Sequence, residues 1–263
     1  MITSTSNNKI KRLVSLRKKR KARDSEGVFL VEGIRMFQEV PKESLLELYV
    51  TEGFQNKEHV LVEQKRAESG CQFEVLSDNV MAYASDTQHP QGVLCVVRQQ
   101  DNNFGQSAAD KQCPLVMLLD NLQDPGNMGT ILRTAEAAGV TEIIMSKDCV
   151  DVYNPKVIRS TMGSVFRVPF RYVENVTETI REMKQQGIRT YAAHLDGKLA
   201  YDEPDYKEPA AFFIGNEGNG LRNEVAELAD TYIRIPMAGQ VESLNAAIAA
   251  TVLMFEAGRQ RRH

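Results

Sequence analysis

Apolar and polar positions along the chain change period repeatedly, from helical to strand spacing and back. Over residues 9–22, Ile10, Leu13, Val14 and Leu16 recur at helical spacing among basic residues, which predicts an amphipathic helix. Residues 28–31 then read as a strand and 33–40 as a helix. Residues 46–50 form a second predicted strand, and 59–68 a helix stopped by Gly70. Residues 73–76 and 93–97 are further predicted strands. The alternation predicts a small α/β domain over residues 1–98. Residues 99–113 are polar, carry Gly, Ser and Asn, and have no apolar period, which reads as a linker.

After the linker the alternation restarts with longer units. Residues 115–119 are an unbroken apolar run, as a strand buried on both faces of a parallel sheet requires. A helix is predicted over 127–138, with Asn127 as its cap and Gly139 closing it. Strands at 142–145, 188–193, 211–214 and 232–235 and helices at 176–186 and about 219–229 follow. The last predicted helix, 244–257, has the clearest period. Leu244, Ala247, Ile248, Thr251, Val252 and Phe255 share one face, Ser243 stands at the cap position and Gly258 at the closing position. The predicted architecture is a small N-terminal α/β domain followed by a larger C-terminal α/β domain.

Composition narrows the class. With 42% hydrophobic and 25% charged residues the chain is ordinary for a globular protein. No run approaches the roughly 18 apolar residues of a membrane span. The polar start of the chain lacks the apolar core of a secretory signal. Cys71, Cys95, Cys113 and Cys149 include no Cys-x-x-Cys, so reduced thiols in a cytoplasmic protein are expected. His59, His89, His194 and His263 are isolated, and no metal site is expected.

Charge changes the picture further. The chain carries a net −3, yet Lys9, Lys11, Arg12, Arg17, Lys18, Lys19, Arg20, Lys21 and Arg23 form a nine-cation stretch without an acid. The remainder is strongly acidic. A basic arm on an acidic body reads as a phosphate-binding strip for a polyanion, in competition with a solvated helix face.

Three junctions between a predicted strand and helix of the second domain are dense in polar chemistry, and the ends of parallel strands are where ligands bind. The first runs from Asp120 through Asn127 to Arg133. A guanidinium in a helix of small and apolar residues calls for an anionic partner. The second is Gly215-Asn216-Glu217-Gly218-Asn219-Gly220. It has neither the Gly-Lys-Ser/Thr of a phosphate loop nor Gly-x-Gly-x-x-Gly, and Glu217 would repel a pyrophosphate. A ligand with little negative charge fits better. The third contains Ile235-Pro236-Met237-Ala238-Gly239 and Ser243-Leu244-Asn245.

Together, in order and spacing, these segments resemble the three signature motifs of the SpoU (TrmH-type) branch of the SPOUT RNA methyltransferases. The matching runs are Asn127-Met128-Gly129-Thr130-Ile131-Leu132-Arg133, Gly215-Asn216-Glu217-Gly218, and the Ile235 to Asn245 segment. Asn154-Pro155-Lys156-Val157-Ile158-Arg159 with Gly163 resembles the family's linking segment. Lys9-Ile10-Lys11, Phe29-Leu30-Val31-Glu32-Gly33 and Pro90-Gln91-Gly92-Val93 are similar to the substrate-binding domain often fused ahead of the catalytic one.

The resemblance implies an RNA-binding domain over 1–98 and a catalytic domain over 114–263 with a trefoil knot. It also implies a homodimer and methyl transfer from S-adenosylmethionine to a ribose 2′-hydroxyl, in ribosomal RNA rather than transfer RNA. It assigns cofactor contacts to Gly215, Ile235 and Leu244. Arg133 matches the catalytic arginine, and two roles fit it, proton acceptor with help from a substrate phosphate or stabiliser of the developing oxyanion. Asn127 and Glu217 are expected to position the loop and Arg133. Ser243 and Asn245 are expected to organise the substrate end, and Arg159 to join the basic arm in contacting RNA. A non-catalytic RNA-binding assembly factor and a dinucleotide oxidoreductase are the competing classes. The first predicts loss of Arg133 or Asn245, and the second a Gly-x-Gly-x-x-Gly run.

Overall fold

The computed structural model describes residues 1–100 and 113–262. The described chain forms two compact units. One joins residues 1–100 with 151–166, and the other joins 113–150 with 167–262. Most of the expected linker, residues 101–112, lies outside the described residues.

In the first unit, α1 (Asn8–Lys18) and α2 (Arg20–Glu26) precede β1 (Val28–Glu32), α3 (Ile34–Glu39), β2 (Leu45–Thr51), α4 (Glu52–Lys57) and α5 (His59–Ser69). β3 (Gln72–Leu76), α6 (Asp78–Ala84) and β4 (Val93–Arg98) complete the run. The strands lie in the order β1-β4-β2-β3, antiparallel except for the parallel β2–β3 pair. Ile10, Leu13 and Leu16 bring one face of α1 onto Leu30, Tyr49, Leu94 and Val96. Two helices stand where the sequence predicts one. Lys19 is extended, and the Arg23 guanidinium folds back onto the carbonyls of Leu16 and Arg17, capping α1 with a cation where its free carbonyls gather.

Asp151–Phe166 also packs in this unit, although in sequence it lies between two strands of the other. It contains α8 (Pro155–Thr161), capped by the Asn154 side chain, and a 3-10 turn at Ser164–Phe166. Phe29 packs against Tyr153 and Phe166 at 4.6 and 6.1 Å between ring centroids. Gly163 has φ +97°, and a Cβ there would stand 2.7 Å from Cγ of Glu39, so this turn requires glycine. The contiguous division at 98 and 114 does not anticipate this excursion.

The second unit runs β5 (Leu115–Leu119), α7 (Pro125–Ala138), β6 (Glu142–Ser146), β7 (Phe170–Val173), α9 (Val176–Gln185) and β8 (Arg189–Ala193). β9 (Leu199–Ala200), β10 (Ala210–Ile214), α10 (Asn223–Ala226), β11 (Thr231–Arg234) and α11 (Ala246–Arg261) follow. The sheet order is β7-β6-β5-β10-β8-β11-β9, with every pair parallel. β5 and β10 are buried along their whole length, as their uninterrupted apolar sequences require. From β5 the chain steps outward through β6 and β7, then returns to build the other side through β8 and β10. The switch in direction falls between β5 and β10, and their carboxyl ends frame the crevice where α/β sheets bind ligands.

Two helix boundaries differ from expectation. α7 starts at Pro125 because Asp124, not Asn127, is its cap, with its side chain accepting from the Asn127 backbone. α11 starts at Ala246 because Asn245, not Ser243, caps it, and Gly258 lies inside it. α11 packs along α7 and against β10, and Ala247, Ala250, Leu253, Met254 and Ala257 are among its buried residues. The apolar stripe read from the sequence therefore splits, with Ala247 facing inward and Ile248 and Phe255 exposed. A helix with two apolar sides gives its period no single inward answer.

Candidate active site

The loops after β5 and β10 meet at the switch point. Glu217, in the glycine-rich loop, presents its carboxylate to the start of α7. It accepts from the backbone N–H of Gln123 at 3.1 Å and of Asp124 at 2.9 Å, and from Asn127 Nδ2 at 3.0 Å. Unpaired N–H groups and the positive end of the helix dipole both favour a carboxylate there. Burial pushes the Glu217 carboxyl up. The bonds from Asn127, Asp124 and Gln123 together outweigh that and hold it below its ordinary value.

Asn127 is buried, and its amide is oriented by its partners. Nδ2 donates to Glu217, and Oδ1 accepts from Asn245 Nδ2 at 2.9 Å. Asn245 Oδ1 in turn accepts from the backbone of Ala247 and Ile248, capping α11. A single hydrogen-bonded chain, Glu217–Asn127–Asn245, thus ties together the start of α7, the glycine loop and the start of α11.

The glycine loop is closed on itself. Asn216 and Gly220 exchange backbone bonds of 2.9 Å, and Asn216 Oδ1 accepts from Gly218 and Asn219. A Cβ on Gly215 would stand 2.1 Å from the carbonyl carbon of Gly220, so no side chain is possible there. Gly215 leaves β10, Ile235 leaves β11, and Leu244 precedes the α11 cap, so the three expected cofactor positions all lie at the carboxyl side of the sheet.

Arg133 sits in the third turn of α7, on its exposed side with Thr130 and Ala137. It has no hydrogen-bond or ion-pair partner among the described residues and does not touch the Glu217–Asn127–Asn245 chain. Ser243 is exposed, caps nothing, and has no hydrogen bond among the described residues.

Sequence reasoning misses Asp120 and Arg222 as a pair. Asp120 is fully buried directly after β5 and holds the Arg222 guanidinium. The available signal is a carboxylate ending an all-apolar strand, since such a charge must be paired.

The basic stretch divides in two. Lys9 pairs with Glu74, and Arg12 bridges Glu26 at 2.7 Å and Glu47 at 2.8 Å. Arg17 donates to the carbonyls of Tyr83, Ala84 and Ser85 at the end of α6, and Arg20 pairs with Asp24. Arg23 is buried against Asp151 and is a structural residue, which corrects its expected role in contacting RNA. Arg159 pairs with Asp86 at 2.8 Å within the first unit. Lys11, Lys18, Lys19 and Lys21 are exposed with no partner among the described residues.

Comparison with known proteins gives these features a family. Residues 114–255 match the SpoU rRNA Methylase family, and residues 7–95 match the MRM3-like substrate binding domain. The chain belongs to the SpoU rRNA methylase family, as its three motifs indicated. It is 32% identical to the 23S rRNA (guanosine(2553)-2'-O)-methyltransferase RlmP of Bacillus subtilis, over 97% of each chain. An AdoMet-bound rRNA methyltransferase from Sinorhizobium meliloti superposes with a TM-score of 0.86 at 31% identity, covering 98% of this chain and 97% of that one. The SpoU methyltransferase AviRb from Streptomyces viridochromogenes, in complex with AdoMet, gives 0.87 at 27% identity over 97% and 98%. Among the described residues no helix is long and apolar enough to cross a membrane.

Proposed function

We infer that the protein is an S-adenosylmethionine-dependent methyltransferase that modifies a ribose 2′-hydroxyl of ribosomal RNA. The observation that carries this reading is the Glu217–Asn127–Asn245 chain, which unites the three motif segments at the switch point of a parallel sheet. The donor set suits S-adenosylmethionine. The glycine loop has one charged residue, the acid Glu217, and no cation, so it favours a sulfonium over a phosphate. Gly215, Ile235 and Leu244 hold the cofactor through main-chain groups, and the bound cofactor supplies the methyl group.

Arg133 performs its part from the exposed side of α7. Its guanidinium offers five donors in a planar fork, none of them engaged within the described protein. It binds the ribose oxygen that gains negative charge, or the adjoining phosphate, and so favours loss of the hydroxyl proton. Asn127 and Glu217 fix the start of α7, the helix that carries Arg133 in its third turn, while Ser243 and Asn245 order the segment beside the substrate. Residues 1–98 bind the RNA, 99–113 connect, and 114–263 catalyse, with the C-terminal part threaded as the family's trefoil knot. The setting is the cytoplasm. Incubation with radiolabelled S-adenosylmethionine and unmethylated ribosomal RNA tests the activity. Label in an alkali-resistant dinucleotide is expected, whereas no label or label on a base overturns it.

Three further expectations follow from particular residues. The exposed Ile248 and Phe255 of α11, with Val252 between them, support a homodimer, since an apolar stripe is better covered than hydrated. Sedimentation at micromolar concentration should find a dimer, and a monomer contradicts it. Lys11, Lys18, Lys19 and Lys21 are the free cations of the basic stretch. Replacing all four with alanine should reduce the slope of log affinity against log salt by roughly 0.7–0.9 for each RNA phosphate that the lysines neutralise, and an unchanged slope assigns RNA binding to other residues.

The third concerns Glu217. A carboxyl held below its ordinary value contributes stability that is fully present above the unfolded-state pKa and lost as pH falls through the folded one. Urea unfolding should therefore find Glu217→Gln less stable than the parent at pH 6, with the gap closing below about pH 4. A gap independent of pH contradicts the ionised contact.

A further inference from the structure

The roles above leave Arg222 without a task, yet it bonds both carboxylate oxygens of a buried aspartate and reaches a second aspartate. Its backbone N–H donates to Asp120 Oδ2 at 3.1 Å. Its Nε and Nη2 converge on Asp120 Oδ1, the former at 2.9 Å, and Nη1 reaches Asp148 Oδ2 at 3.3 Å. Asp120 has no solvent exposure, whereas the Arg222 side chain is 38% exposed. The interior carboxylate is thus satisfied by one residue that arrives from another segment.

That residue has a particular place in the chain. The glycine loop departs from β10, whose last residue is paired with the end of β5 and accepts from the Asp120 backbone at 2.8 Å. The loop returns through Leu221, which is buried, to Arg222. Its departing end is held by the sheet and its returning end by the guanidinium, and both anchors converge on Asp120. Between them the loop reaches other segments through Asn216 Nδ2 to the Asn121 carbonyl at 2.9 Å and through the Glu217 carboxylate.

We propose that Arg222 is a positioning residue for methyl transfer, clasping Asp120 so that the glycine loop keeps the shape that binds S-adenosylmethionine. The inference rests on the functional reading given above. Without the guanidinium, a fully buried carboxylate keeps only one N–H partner, and the returning end of the loop moves to hydrate it. Binding requires the loop in its closed form, so the fraction of molecules still closed limits cofactor affinity. Saturating cofactor draws the molecules back to the closed form, in which Glu217 meets Asn127 and Arg133 is unchanged on α7, so turnover with the cofactor site filled is largely retained.

The test compares the full-length parent with Arg222→Ala, Arg222→Lys and Asp120→Asn by calorimetric titration of S-adenosylmethionine, steady-state kinetics and thermal melting. Arg222→Ala and Asp120→Asn should raise both Kd and KM for the cofactor about tenfold or more. Their kcat at saturating cofactor should stay within about threefold of the parent. Arg222→Lys should recover little, because an ammonium cannot reproduce the fork. Should Arg222→Ala fail to fold, Arg222→Gln, which keeps the stem and part of the donor set, carries the same comparison. A lowered melting temperature with unchanged cofactor affinity overturns the proposal, as does a fall in kcat at constant KM. A parent protein that binds no S-adenosylmethionine instead overturns the functional reading on which the proposal stands.

Discussion

Arg133→Ala is expected to slow single-turnover methyl transfer by roughly 10²–10³ while leaving cofactor affinity and melting temperature near those of the parent. The expectation comes from where the side chain lies. Arg133 is exposed in the third turn of α7, and no described residue pairs with it, so its removal deletes no bond that holds the fold. The proposed cofactor positions Gly215, Ile235 and Leu244 belong to other loops. An interaction made only with the reacting ribose or its phosphate registers in the rate rather than in the binding of the other substrate. Arg133→Lys should restore little activity, since one ammonium cannot present two parallel donors. A stable Arg133→Ala protein with near-normal turnover removes Arg133 from the chemistry.

Arg23→Ala is expected to destabilise the protein by about 3–5 kcal/mol, read by urea unfolding, although Arg23 belongs to the stretch whose composition suggests RNA binding. Arg23 and Asp151 are both buried, and the guanidinium also caps α1 through the carbonyls of Leu16 and Arg17. Its loss leaves a carboxylate without its counter-ion and the end of α1 without its donors. Adding Asp151→Ala should recover part of the loss, because the uncompensated charge is then absent. The four free lysines provide the contrast. Their alanine variants should move stability by less than about 0.5 kcal/mol each while weakening RNA binding. Weakened RNA binding without lost stability in Arg23→Ala reverses the assignment.

The fold was legible where one physical signal dominated. The all-apolar run at 115–119 reads as a strand buried on both faces and 211–214 as a further strand, and they are β5 and β10 at the centre of the larger sheet. Legibility failed where a distant partner decides the local structure. One helix over 9–22 became two because Arg23 turns back to cap the first, a bond that residue spacing does not encode. Asp124 and Asn245 cap the helices for which the sequence predicts Asn127 and Ser243, since several short polar side chains lie near each boundary. The excursion of 151–166 into the first unit depends on Phe29, Glu39 and Asp86 across more than sixty residues, beyond the reach of any period.

At the site, the residue types were legible and their pairing was not. The motifs point to Asn127, Glu217 and Asn245 separately, but only the fold shows that the Asn127 amide links the other two. The basic stretch illustrates the opposite failure. Nine like charges in fifteen residues suggest a single binding strip, yet acids on β2 and β3 lie beneath α1 and neutralise Lys9 and Arg12. Charge counted along the chain does not reveal charges supplied by a neighbouring strand.

Mapping 2′-O-methylation across total RNA reads out directly whether this site methylates a ribose of ribosomal RNA through Arg133. The comparison is among cells that carry the protein, cells that lack it, and cells carrying Arg133→Ala. A ribosomal nucleotide is expected to lose its 2′-O-methyl group in the cells lacking the protein and to stay unmethylated with Arg133→Ala. An unchanged methylation map in the cells lacking the protein, or full methylation restored by Arg133→Ala, contradicts it.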